Sequence, residues 1–157
     1  MRLGVISDTH LPRRERAIPS SVFDAFARVD GLLHAGDLVT AAVLEELGAI
    51  APVQSVLGNM DDRSLDLPGM LTTSLGSFEV GMVHDAGPSK GRRERMRKKF
   101  PGCRVVVFGH THEPVIDDDG DLMLLNPGSA CDPRGRIPTV ALLESDGETP
   151  KARIVEV

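Results

Sequence analysis

Apolar, β-branched-rich runs recur along the chain with amphipathic segments between them, the pattern of strands joined by helices in an α/β domain. Leu3–Ile6 is the first run. Pro19 and Ser20 can then start a helix whose Val22, Phe23, Phe26 and Val29 share one face at 3.6-residue spacing. Leu32–Ala35 predicts a second strand. Thr40 is placed to cap a second helix bearing Val43, Leu44 and Leu47 and ending at Gly48, and Pro52–Leu57 predicts a third strand.

After residue 60 the pattern changes. Leu71–Leu75 and Phe78–Val83 flank Gly76 and Ser77 and predict a hairpin. A basic helix over Pro88–Phe100 leads into the apolar run Arg104–Phe108. Val115–Asp117 and Leu122–Leu125 surround the turn residues Asp118, Asp119 and Gly120, and 138–144 with 151–157 predict a last pair about Asp146 and Gly147. The expected architecture is a mixed α/β sandwich. The 157 residues show no repeat, linker or low-complexity tract, so a single domain over 1–157 is expected.

Five apolar runs end in a residue able to ligate a metal: Asp8, Asp37, Asn59, His84 and His110. Ligands of open α/β sheets sit beyond the carboxyl ends of the strands, where side chains distant in sequence can converge. Glycine precedes Asp37, Asn59 and His110, as expected where the backbone takes unusual angles or approaches another segment closely. The chain has only five histidines, and four of them (His10, His84, His110, His112) fall at these ends or within two residues of them. Imidazoles with carboxyl and amide oxygens, and no thiolate, suit manganese, iron, zinc, cobalt or nickel. Asp37 is the natural bridging carboxylate. Two ions about 3.5–4 Å apart would clamp a phosphoryl group and lower the pKa of a shared water, giving a hydroxide nucleophile. His34 lies inside an apolar run and is expected to be a hydrogen-bonded core histidine or a support for a ligand.

Ser-Asp-Thr-His at 7–10, Gly-Asp at 36–37, Gly-Asn-Met-Asp at 58–61, His84 and Gly-His-Thr-His at 109–112 resemble, in order, the motifs of the calcineurin-like metallophosphoesterases. The short length and Asn-Pro-Gly-Ser at 126–129 are similar to the small bacterial and archaeal phosphodiesterase branch, itself related to the retromer scaffold subunit of eukaryotes. The resemblance implies a four-layer αββα sandwich of two mixed sheets flanked by helices. It implies that Asp8, His10 and His112 hold one divalent ion and Asn59, His84 and His110 the other, with Asp37 between them. Two ions per chain are expected, manganese first, with nickel, iron, zinc or cobalt as alternatives. Asp37, Asn59 and His84 are the expected catalytic residues of a phosphoesterase, a phosphodiesterase rather than a monoesterase.

Two positions depart from the family pattern. Many members have histidine after the Gly-Asn pair, where this chain has Met60, whose thioether cannot donate a proton; Asp61 and Asp85 are the nearest alternative donors. Asp85 itself stands where the family usually has glycine, and can perturb the loop or add a carboxylate near the ions.

Charge changes the picture locally. Lys90, Arg92, Arg93, Arg95, Arg97, Lys98 and Lys99 hold seven of the 18 basic residues, and Arg13, Arg14 and Arg16 closely follow His10. Such runs are often solvated faces, but beside metal motifs they predict an electropositive rim, with Arg13, Arg14 and Arg92 as substrate contacts. Arg134 beyond the Asn-Pro-Gly-Ser turn is a further pocket candidate. The net charge of −5 and the lack of Trp and Tyr argue against a nucleic-acid-binding module. No run approaches the ~18 apolar residues of a membrane span, and Cys103 and Cys131 are too few for a disulfide framework. A cytoplasmic enzyme with a small phosphate-ester substrate, open to homo-oligomerisation, is expected. The alternative is a non-catalytic interaction scaffold of the retromer-subunit type, in which eroded metal motifs would be expected; here every ligand position is intact.

Overall fold

Two five-stranded mixed sheets pack face to face in the computed structural model, which describes residues 1–13, 15 and 17–157. The first is built from β1 (Arg2–Ile6), β2 (Gly31–His34), β3 (Val53–Ser55), β9 (Thr139–Ser145) and β10 (Pro150–Glu156), in the order β10-β9-β1-β2-β3. The second is built from β4 (Met70–Leu75), β5 (Phe78–Val83), β6 (Val105–Val107), β7 (Val115–Asp118) and β8 (Met123–Asn126), in the order β4-β5-β6-β8-β7. The helices are α1 (Ser20–Ala25), α2 (Ala42–Gly48) and α3 (Arg92–Lys99).

The continuous apolar runs have a physical reason: both faces of the central strands are covered. Leu3, Val5, Leu33, Val80, Met82, Val105, Val107, Met123, Leu125, Ala141 and Leu143 fill the layer between the sheets. Their neighbours in sequence point the other way. Ile6, Leu32, Val140 and Leu142 meet Val22 and Phe26 of the α1 region and Val43 and Leu47 of α2. Val106, Leu122 and Leu124 meet Met96 of α3 and Phe100. These three apolar layers make the αββα sandwich that the motifs imply. Glycine marks the closest approaches: a Cβ on Gly81 would lie 2.5 Å from the Phe100 ring, and one on Gly4 2.5 Å from Leu32.

The helix boundaries move. The first helix stops at Ala25 with a last bond from Phe26 N to Val22 O (3.0 Å); Ala27 and Val29 make only i→i+3 turns, and Phe26 lies over Gly4. Ala41, not Thr40, precedes α2, and Thr40 contributes its carbonyl to Val43 N–H (3.2 Å) rather than a side-chain cap. The basic helix begins at Arg92 because Gly91 takes a left-handed conformation (φ 71°). Both cysteines are buried and free, and burial pushes the Cys131 thiol up to about 12. Among the described residues no helix is long and apolar enough to cross a membrane.

Candidate metal centre

β1, β2 and β3 run parallel, as do β5 and β6, so within each sheet their carboxyl ends share an edge. Asp8 follows β1, Asp37 follows β2, Asn59 follows β3, His84 directly follows β5, and His110 and His112 follow β6. Five of the seven predicted ligands, Asp8, His10, Asp37, His110 and His112, have φ between 50 and 69°. Such left-handed geometry costs a non-glycine residue about 1–3 kcal/mol, and it clusters where packing over-determines a functional backbone. The glycines before the ligands allow the loops to touch. A Cβ on Gly58 would lie 2.1 Å from Asp37 Oδ1, and one on Gly109 2.0 Å from Ser7 Oγ.

The seven side chains come together as two connected groups. Asp8 Oδ1 lies 3.3 Å from His112 Nε2 and 3.8 Å from His10 Nε2, and the two Nε2 atoms are 3.4 Å apart. Asp37 Oδ2 lies 3.3 Å from His84 Nε2 and 3.7 Å from His10 Nε2. Asn59 Oδ1 is 3.0 Å from both His84 Nε2 and His110 Nδ1. Ligand atoms bonded at about 2.0–2.2 Å to one ion at tetrahedral or octahedral angles stand roughly 2.8–3.6 Å apart, so the tighter of these spacings are those of a ligand shell. Asp8, His10 and His112 form one group able to hold an ion, and Asp8, Asp37 and His84 another. Both carboxylates thus face both sets of histidines.

Hydrogen bonds decide which atom of each ligand faces inward. Asp8 Oδ2 accepts from Ser7 Oγ (2.6 Å) while the His110 N–H is shared between Oδ2 (3.0 Å) and Oδ1 (3.2 Å), so that Oδ1 is the oxygen left to the centre. Asp37 Oδ1 accepts from Met60 N (2.7 Å), turning Oδ2 inward. His84 Nδ1 donates to Ala35 O (2.8 Å) and His112 Nδ1 to Asp132 O, which leaves each Nε2 lone pair for a metal. Burial opposes ionisation of Asp8 and Asp37, but the histidines, Ser7 and the Met60 N–H outweigh it and hold both carboxyls below the usual range. Burial likewise opposes charge on His84 and His112, yet their carboxylate partners raise both; at His10 burial prevails and lowers it.

His34 is fully buried beneath the loops. Its Nδ1 accepts from Gly36 N (3.2 Å), so Nε2 carries the proton toward Thr9 Oγ1 (3.1 Å). Burial pushes it down to about 4.

A cavity of about 260 Å³ opens over the group, lined by His10, Arg13, Asp37, Asn59, Met60, His110, Asp132 and Arg134. Arg13 and Arg134 are therefore on its wall. Arg92 is not: it donates to Gly87 O, lies 4.7 Å over the Phe108 ring, and lines a separate cavity of about 510 Å³ with Arg93, Thr111 and Glu113. Arg14 and Arg16 lie outside the described residues. The exposed Asp85 accepts from Gly87 N (2.7 Å) and is absent from the wall over the metal group. Asp61 is likewise absent from that wall and is tied to backbone N–H groups of the Asp37 and Asn59 loops, a role no local sequence pattern announces.

The family model described as the calcineurin-like phosphoesterase superfamily domain matches residues 1–148. The chain belongs to this superfamily. It is 43% identical over 158 residues to a probable metallophosphoesterase of Methanothermobacter thermautotrophicus, covering 99% of this chain and 92% of that protein. It is 27% identical over 172 residues to a phosphodiesterase of Methanocaldococcus jannaschii, covering 99% and 100%. Among solved structures, Vps29 of Entamoeba histolytica complexed with zinc superposes with a TM-score of 0.80 at 25% identity, covering 99% of each chain. Calcineurin-like phosphoesterases bind divalent metals, and the Asp and His groups described above are of the kind that holds them.

Proposed function

We propose that the protein is a dinuclear metal-dependent phosphodiesterase that hydrolyses a small phosphate ester and works best with manganese. The observation that carries this reading is the pair of carboxylates, Asp8 and Asp37, each turning one oxygen toward both sets of histidines. Asp8, His10 and His112 hold one ion, Asn59, His84 and His110 the other, and Asp37 bridges. When bound, two such ions supply positive charge to the phosphoryl oxygens and make water a nucleophile near neutral pH. The chain's own residues orient the ester. Arg13 and Arg134 on the cavity wall attract its anionic oxygens, and Met60 offers an apolar surface with no proton for the leaving group. The diester preference draws support from the phosphodiesterase relative. The net charge of −5 supports a small ester rather than nucleic acid as substrate, and the two free cysteines are in keeping with a cytoplasmic enzyme.

The test is to strip the metal, reconstitute with manganese, nickel, iron, cobalt, zinc or magnesium, and assay phosphate mono- and diesters. Turnover of diesters, highest with manganese, is expected. A second reading, a non-catalytic interaction scaffold, draws support from the likeness to Vps29. Because that structure holds zinc, metal uptake alone does not separate the two readings. Protein that binds ions yet hydrolyses no ester would favour the scaffold.

A further inference from the structure

Asp61 is the residue through which the second and third metal loops meet. Its Oδ2 accepts from Asp37 N (2.9 Å) and Gly58 N (2.7 Å), and its Oδ1 from Val39 N (2.7 Å). Asp37 and Val39 both have left-handed backbones, φ 58° and 77°, and for a β-branched residue such as Val39 this is a rare conformation. A backbone so placed needs an outside acceptor for its N–H groups, and one carboxylate supplies it at both residues. The same carboxylate fixes Gly58, the residue before Asn59, at the point where the two loops touch. Both oxygens are engaged as acceptors from three N–H groups, and Asp61 is not among the residues that line the cavity.

We propose that Asp61 is a positioning residue that sets Asp37 and Asn59 at the spacing of one ligand shell, so that it weighs more on one of the two ions than on the other. This rests on the two-ion reading above. Residues that support a metal ligand typically change metal affinity by about 10–100-fold. Asp61 holds Asp37, which both ions share, but also the loop of Asn59, which only one of them uses, and it makes no hydrogen bond to Asp8, His10 or His112; its loss therefore falls mainly on the ion shared by Asn59, His84 and His110.

Metal-free wild type, Asp61→Ala and Asp61→Asn are titrated with manganese by calorimetry, after circular dichroism and thermal melting of the apo forms. Asp61→Asn keeps the shape of the side chain but opposes an NH₂ group to a backbone N–H, so it serves even where the alanine variant fails to fold. The expected result is two binding events in the wild type and, in the folded variants, one weakened roughly 10–100-fold and the other clearly less. Asp61→Glu, which keeps the acceptors, should recover part of the loss. Two unmoved events in the variants would overturn the proposal alone, as would an equal weakening of both events in step with a lower apo melting temperature. Wild type that takes up no ion would sink the two-ion reading itself, and this proposal with it.

Discussion

His10 and His112, 102 positions apart in sequence, stack with their ring centroids 5.2 Å apart and their Nε2 atoms 3.4 Å apart. With the His112 Nδ1 proton committed to Asp132 O, its Nε2 lone pair points at His10 and at Asp8 Oδ1. Nitrogen and oxygen acceptors brought this close repel until a proton or a metal ion stands between them. Adding manganese or zinc to the apo protein should therefore raise Tm. At a free metal concentration of 100 Kd, one site contributes about 2.7 kcal/mol, and chelation should reverse the gain. A Tm indifferent to metal and chelator would contradict the assignment, as would elemental analysis giving less than one ion per chain.

Asp37→Ala should be the most damaging single substitution. Asp37 Oδ2 faces His10 and His84 at 3.7 and 3.3 Å, so its removal touches both ions. The loss in kcat/KM should exceed the roughly 100-fold upper range seen for residues that merely support a ligand. Activity within tenfold of wild type would show that Asp8, whose Oδ1 also faces both groups, carries the bridge instead.

Met60 bears on the leaving group. Its backbone N–H holds Asp37, a contact that survives substitution, while its side chain is 41% exposed on the cavity wall. Asp61 and Asp85 do not line this cavity, so neither is placed to replace the missing donor. The wild type should cleave nitrophenyl diesters readily and alkyl diesters poorly. Met60→His should narrow the gap by part of the ~10²–10⁴-fold that general acid catalysis supplies. A shallow leaving-group dependence in the wild type would point to Asp132, the remaining carboxylate on the wall.

The arginines should separate by location. Arg13→Glu and Arg134→Glu should raise KM for a multiply charged ester at low salt, and less so as added salt shortens the ~8 Å screening length of physiological ionic strength. Arg92→Ala should instead lower Tm, since it removes the contacts to Gly87 O and Phe108, and leave KM nearly unchanged. A KM effect at Arg92 equal to that at Arg13 would mean that the substrate reaches the neighbouring cavity.

His34 makes stability depend on pH. Burial lowers it to about 4 in the folded state, against about 6.5 in the unfolded chain, so protonation favours unfolding. Its contribution is fully present above pH ~6.5 and is lost as pH falls toward 4, by up to about 3 kcal/mol. His34→Gln, with an acceptor and a donor but no titration, should flatten the acid limb of urea-denaturation stability measured on the chelated protein. Parallel pH profiles for the two proteins would place the acid sensitivity elsewhere.

The strands, the hairpins about Gly76 and Gly120, and the seven residues that meet at the candidate metal centre were legible in the sequence. Their signals are local: an apolar run covered on both faces, a turn residue, a polar residue with the right donor atom just past a strand end. Helix ends were less legible, because Phe26 and Gly91 end or begin a helix through a ring packed on Gly4 and a left-handed φ, neither of which a 3.6-residue period encodes. Only the tertiary structure decided which carboxylate oxygen turns inward, which nitrogen of His84 and His112 is free, that Asp61 ties two loops, and that Arg13 and not Arg92 reaches the cavity. Each depends on partners tens of residues away, brought together by the order of strands within a sheet. Hydrophobic periodicity sets which face a strand buries, but hydrogen bonds between loops from different strands set where a single donor atom points.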